Sequence, residues 1–73
     1  MNQELIVLFK AGTPDHEIRK TIEDEGLVVI DTIDGTHPLC LTRFSKDSAH
    51  YWIDRLTGLP NILAVEINAK FTL

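Results

Sequence analysis

Ser48, His50 and Asp54 are the residue types of a nucleophile, its base and an orienting carboxylate. That chemistry would require Ser48 to pass a proton to His50. All three fall on one helical stretch, where residues two apart point in different directions, so Ser48 has no base within reach. His50 and Asp54 are four apart and read as a surface pair. A metal site fares no better. His16, His37 and His50 fall on a first helix, a hairpin and a second helix, and none has a histidine or cysteine at zinc-like spacing. Cys40 lacks a CxxC partner. The stretch "GTPDHE" places free backbone N–H groups at a helix start, which any helix start offers to an anion. There is no glycine-rich phosphate loop and no paired-carboxylate arrangement. The expectation is a protein that is not an enzyme and carries no cofactor or metal.

Charge points away from two further classes. The formal net charge is −4, and seven of the eleven carboxylates lie between Asp15 and Asp34. Lys10, Arg19, Lys20, Arg43, Lys46, Arg55 and Lys70 are scattered, whereas a nucleic-acid binder needs a basic face. The run Glu23-Asp24-Glu25 lies at a helix C-terminus, unfavourably for the dipole, and reads as a solvated face or as a contact for a basic partner. No apolar run approaches the roughly 18 residues that span a bilayer. Neither nucleic acid nor membrane is expected as a partner. Cys40 sits in an apolar run and reads as a buried free thiol. The N-terminus lacks a secretory pattern, so the chain is expected to be cytoplasmic if it is the whole gene product.

The 73 residues, 44% hydrophobic and 25% charged, are enough for one domain. "ELIVLFK", from Glu4 to Lys10, predicts a strand that is apolar on both faces, with Leu5, Val7 and Phe9 on one side and Ile6 and Leu8 on the other. Thr13 as N-cap and Pro14 as first helical residue open a helix over 14–25, with Ile18 and Ile22 as its stripe and Gly26 as a left-handed cap. Leu27 to Ile33 is a second strand. Asp34-Gly35 signals a hairpin through its tolerance of positive φ, and the return strand is Pro38 to Phe44. Ser45 is the expected cap of a second helix with the stripe Ala49, Trp52, Ile53 and Leu56. Asn61 to Ile67 is a last strand, with Leu63, Val65 and Ile67 expected inward and Ala64 and Glu66 outward.

The order β-α-β-β-α-β predicts an α+β, ferredoxin-like fold: a four-stranded antiparallel sheet with both helices on one face and the first and third strands central. The other sheet face is left open. Ile6 and Leu8 would point there and mark a partner surface if their polar neighbours leave them uncovered.

Several segments then resemble the inhibitor I9 family, the propeptides of subtilisin-like serine proteases and their free-standing inhibitor relatives. "LIVLFK" resembles the family's opening strand, aromatic-Ile-Val-x-Phe-Lys. "GTPDHEIRKTIEDEG" follows as its first helix does, then a Val-Val strand, and "GLPNILAVE" is similar to its Leu-Pro-x-Val-x-x-Val-Glu close. The resemblance implies docking on a subtilisin-like protease through the open sheet face, with the residues after the last strand lying in the active-site cleft like a cleaved product. Val65 and Glu66 match the family's Val-Glu. Ile67 and Asn68 stand where the family often has acidic residues, which removes charge from that contact. Ala69, Lys70, Phe71, Thr72 and Leu73 match the cleft-occupying segment, with Leu73 in the specificity pocket. A free inhibitor is the expected role, ahead of an intramolecular chaperone, since no protease follows in these 73 residues.

The same order of elements also suits a small homodimeric regulatory or assembly module of the ACT-like kind. There, ligands sit at a dimer interface near the loop that is here Ala11-Gly12-Thr13. The phosphate-cradling loop and basic residue of acylphosphatases are missing. The last five residues have a plain alternative, in which Phe71 and Leu73 extend the last strand and pack on the sheet.

Overall fold

Apolar residues on both parities of the first strand predict a central position, and the chain folds that way. The structure, a computed structural model, describes residues 3–68. Six elements follow one another: β1 (Gln3–Phe9), α1 (Asp15–Asp24), β2 (Val28–Ile33), β3 (Leu39–Phe44), α2 (Ala49–Thr57) and β4 (Ile62–Ile67). The strands form one antiparallel sheet in the order β2-β3-β1-β4, so β1 and β3 are central. The architecture is α+β, with four strands and two helices.

One strand parity meets both helices. Leu5, Val7 and Phe9 of β1 are buried with Cys40 and Phe44 of β3, Ile18 and Ile22 of α1, and Trp52 and Leu56 of α2, in a single cluster. Removing each such side chain from water contributes roughly 1.5–3 kcal/mol against the entropy of ordering the chain. Cys40 lies in this core as a free thiol, as its apolar surroundings in sequence suggest, and burial pushes its pKa up.

The end of α1 follows from Gly26. Its φ of +84° lets its N–H reach the Glu23 carbonyl at 2.9 Å, while the Leu27 N–H reaches the Ile22 carbonyl at 3.2 Å. This paired cap brings Leu27 down beside Ile22 in the core. A Cβ at Gly26 would meet no atom within 4 Å, so Gly26→Ala tests backbone strain alone. Its expected cost is about 1–2 kcal/mol, read as a lower denaturant midpoint with unchanged slope.

The caps depart from the sequence reading. Thr13 does not cap α1; its Oγ1 donates to the Lys10 carbonyl at 2.7 Å and closes the turn before the helix. Pro14 stands at the cap position in extended conformation and offers no side-chain bond. Ser45 does not cap α2. Residues 45–47 turn first, with Asp47 at φ 66°, and Ser48 takes the cap by accepting from the Tyr51 N–H at 3.1 Å. Asp34 and Gly35 do connect paired strands, but neither uses positive φ, because residues 34–38 form a wider connection than a two-residue turn.

The inward pattern of β4 is also corrected. Val65 is buried opposite Val7, but Leu63 and Ile67 are 47% and 53% exposed. The β1–β4 register shifts between Leu8 and Phe9, so Ala64 pairs with Leu8 and Ile62 with Phe9. Leu63 is the extra residue of this bulge, and Ile62 takes the buried place expected for it. Ile67 keeps the parity of Val65 opposite Leu5, at the last position of an edge strand where cover is incomplete.

Polar contacts tie the helices down at their ends. Asp15 accepts from Arg19 Nε at 2.7 Å and from Thr32 Oγ1 at 2.9 Å, joining α1 to β2. The Arg19 guanidinium, and then the Thr32 hydroxyl, hold the Asp15 carboxyl below its ordinary pKa. A depressed carboxyl contributes stability above its unfolded pKa of about 3.9, and that contribution is lost as pH falls through the lower folded value. Asp15→Asn is therefore expected to lose less stability than the parent chain between pH 7 and pH 3. Urea midpoints at the two pH values measure this, and equal losses would contradict it. Two of the three carboxylates at the end of α1 are paired within the chain. Lys20 binds Asp24 at 3.0 Å, and Arg55 of α2 grips Glu25 through two bonds of 2.7 and 3.1 Å.

Candidate partner-binding face

The parity of the sheet that turns away from the helices can be laid out from the strand pairings. Across the sheet from β2 to β4, one row reads Asp31, Leu41, Ile6, Glu66, and the next reads Ile33, Leu39, Leu8, Ala64. A third row, at one end, joins Val28, Arg43 and Glu4, with Asn68 continuing past β4 through its N–H to the Glu4 carbonyl at 3.0 Å. Four branched aliphatic side chains, Ile6, Leu8, Leu39 and Leu41, thus form a block across the two central strands. Val28 and Ile33 extend it towards the β2 edge, and both are more than half exposed.

A bulge sets the outer part of this face. The β2–β3 register shifts between Val29 and Asp31, which leaves Ile30 as the extra residue. Val28 and Asp31 would otherwise point to opposite faces; the bulge lets both point outward. Val29 packs on the core, and Thr32 turns to Asp15 of α1. The apolar block is consequently bordered by a carboxylate at each edge, Asp31 on β2 and Glu66 on β4.

At the end of the face the carboxylate of Glu4 is buried, with only 7% of the residue exposed. Its Oε1 accepts from the Asn68 side-chain amide at 3.0 Å, and its Oε2 lies 3.8 Å from Arg43 Nη2. The Arg43 Nε is buried and has no hydrogen-bond partner among the described residues.

The residues expected at the site are therefore divided. Ile6 and Leu8 lie in the middle of the open face, Glu66 shares a row with Ile6, and Asn68 sits at its end. Ala69, Lys70, Phe71, Thr72 and Leu73 lie outside the described residues. Sequence reading misses the β2 and β3 half of the face: Val28, Asp31, Ile33, Leu39 and Leu41. In "PLCLTRF" both parities carry apolar residues, so only the pairing with β1 tells which leucines are outward. It also misses the Glu4, Arg43 and Asn68 contact, whose members are far apart in sequence.

The residues that suggested chemistry are not brought together. Ser48 Oγ caps α2, and the surface pair expected of His50 and Asp54 does not form: they make no ion pair among the described residues. No group of three or more His, Cys, Asp or Glu gathers as a metal site among the described residues. A cleft beside α1, bordered by Lys10, Glu17, Asp24 and Asn61, lies on the helix side, and its Asn61 amide is bonded to Thr21 Oγ1 at 3.0 Å.

Fold and site together define a small α+β domain with one sheet face covered by helices and the other presenting an apolar block. Comparison with protein-family models, with curated proteins and with solved structures finds no match.

Proposed function

We propose that this chain is a ferredoxin-like protein-binding module that inhibits a subtilisin-like serine protease, docking through the open face of its sheet and laying the residues after Asn68 in the cleft as a product-like tail. The observation that carries this reading is the half-buried aliphatic block of Ile6, Leu8, Leu39 and Leu41 on the face away from the helices, continued by the exposed Val28 and Ile33 and bordered by Asp31 and Glu66. The element order and the strand order β2-β3-β1-β4 support the ferredoxin-like assignment. The resemblance of "LIVLFK" and "GLPNILAVE" to subtilisin propeptides supports the choice of partner.

The physical logic has two parts. Burying the aliphatic block supplies affinity, and Glu66 at its edge suits the positive N-terminal end of a protease helix. An extended tail adds main-chain pairing with the cleft, while its side chains fill successive pockets. A folded domain that holds the tail by its root lowers the entropy lost on binding.

The test is a titration of the purified chain against a subtilisin, with its mass in solution followed by light scattering. The reading expects a monomer and saturable competitive inhibition. A stable dimer that buries the open face, with no inhibition, would replace it with the homodimeric regulatory module.

A further inference from the structure

We infer that Glu4, Arg43 and Asn68 form a clamp that fixes the root of the C-terminal tail, which makes Glu4 and Asn68 positioning residues for the docking proposed above; the inference rests on that reading. Three observations meet at one point. Glu4 is buried although it belongs to the open face of the sheet. Asn68, the residue after β4, is held to it twice, by its backbone N–H to the Glu4 carbonyl and by its side-chain amide to Glu4 Oε1, both at 3.0 Å. Arg43 Nη2, on the neighbouring strand, faces the second carboxylate oxygen at 3.8 Å.

Burying a carboxylate is costly unless it is paired and hydrogen-bonded. A solvated residue opposite Arg43 would complete the sheet equally well. What the buried carboxylate adds is a second hold on Asn68, beyond the ladder bond that any residue could make there. The location matters because residue 68 is where the last five residues are attached. Five residues span at most about 17 Å when extended. A slip of one residue at the root would displace every side chain beyond it by about 3.4 Å and turn it to the opposite side. Leu73 would then miss the pocket that the tail mechanism requires it to fill. Holding Asn68 by backbone and side chain sets that register before the protease is met.

Four chains test this against subtilisin: the full chain and the chain ending at Asn68, each with and without Asn68→Ala. In the full chain the substitution is expected to weaken inhibition about tenfold, as for one lost hydrogen bond to a charged group. In the shortened chain it should change inhibition less than twofold, because no tail remains to be positioned. Equal weakening in both would mean a structural role and overturn the inference, as would no weakening in the full chain. If the unsubstituted full chain does not inhibit, the docking reading has failed, and the clamp is judged separately by amide hydrogen exchange. Glu4→Ala should then speed exchange at the Asn68 N–H by tenfold or more while the Val65 N–H keeps its rate. A uniform change along β4, or none at Asn68, would overturn the clamp itself.

Discussion

Trp52→Ala is expected to destabilise the domain by about 3–5 kcal/mol, the range for deleting a buried aromatic side chain. Trp52 is 8% exposed and is the chain's single tryptophan. Its ring fills the α2 side of the core, in the cluster that holds Phe44 and Leu56. Its Nε1 also donates to the Lys46 carbonyl at 2.8 Å, which pins the turn that precedes the helix. The substitution therefore opens a cavity and frees the residues that lead Ser48 into its cap. In a domain of this size each kcal/mol corresponds to about 4–8 °C in Tm. A fall of at least about 12 °C follows, large enough to unfold a marginal domain near physiological temperature. Trp52→Phe separates the two contributions, since it keeps most of the ring volume and loses the hydrogen bond. A melt of Trp52→Ala that barely moves would contradict the placement of α2.

Leu41→Glu is expected to have the opposite profile: a small effect on stability and a large one on binding. Leu41 lies near the centre of the open face, between Asp31 and Ile6 in its row and beside Leu39 and Leu8 in the next. Leu41 is half-buried in the free domain, so a flexible Glu side chain there can still carry its carboxylate out to water. In a complex it would be buried in the middle of an apolar contact, beside a rim that already carries Asp31 and Glu66. Inhibition of a subtilisin should weaken about 30-fold or more, equivalent to at least 2 kcal/mol. The Tm should stay within a few degrees of the parent. Unchanged inhibition would show that the face is not the docking surface, whatever the tail does.

These two residues also mark what the sequence makes legible. The stripe of Trp52 and Leu56 on a helix is a local signal of period 3.6, and local signals survive folding well. Element types, their order and the central place of β1 all follow from such signals. The caps are less legible because several candidates compete within a few residues. Thr13 and Ser45 have the right chemistry, and each is displaced by a turn that uses the chain differently. The bulges at Leu63 and Ile30 are less legible still. Each adds one residue to one strand only, so every side chain beyond it changes face relative to simple alternation. This is why Leu63 is exposed, and why Val28 and Asp31 come to share the open face with Leu41. The clamp of Glu4, Arg43 and Asn68 leaves no trace in sequence, because it joins residues of β1 and β3 to the residue that follows β4.

For the candidate site, Ile6, Leu8 and Glu66 are legible from parity, and the outward leucines of β3 become so only when paired with β1. The role of the last five residues comes from resemblance alone, and it is where the account can be tested most sharply. Titrating one subtilisin with the full chain and with the chain ending at Asn68 isolates that segment while leaving the open face intact. The full chain should inhibit, and the shortened one should inhibit at least a hundredfold more weakly, as expected when a tethered segment that occupies the cleft is removed. Equal inhibition by the two chains, or none by the full chain, would contradict this.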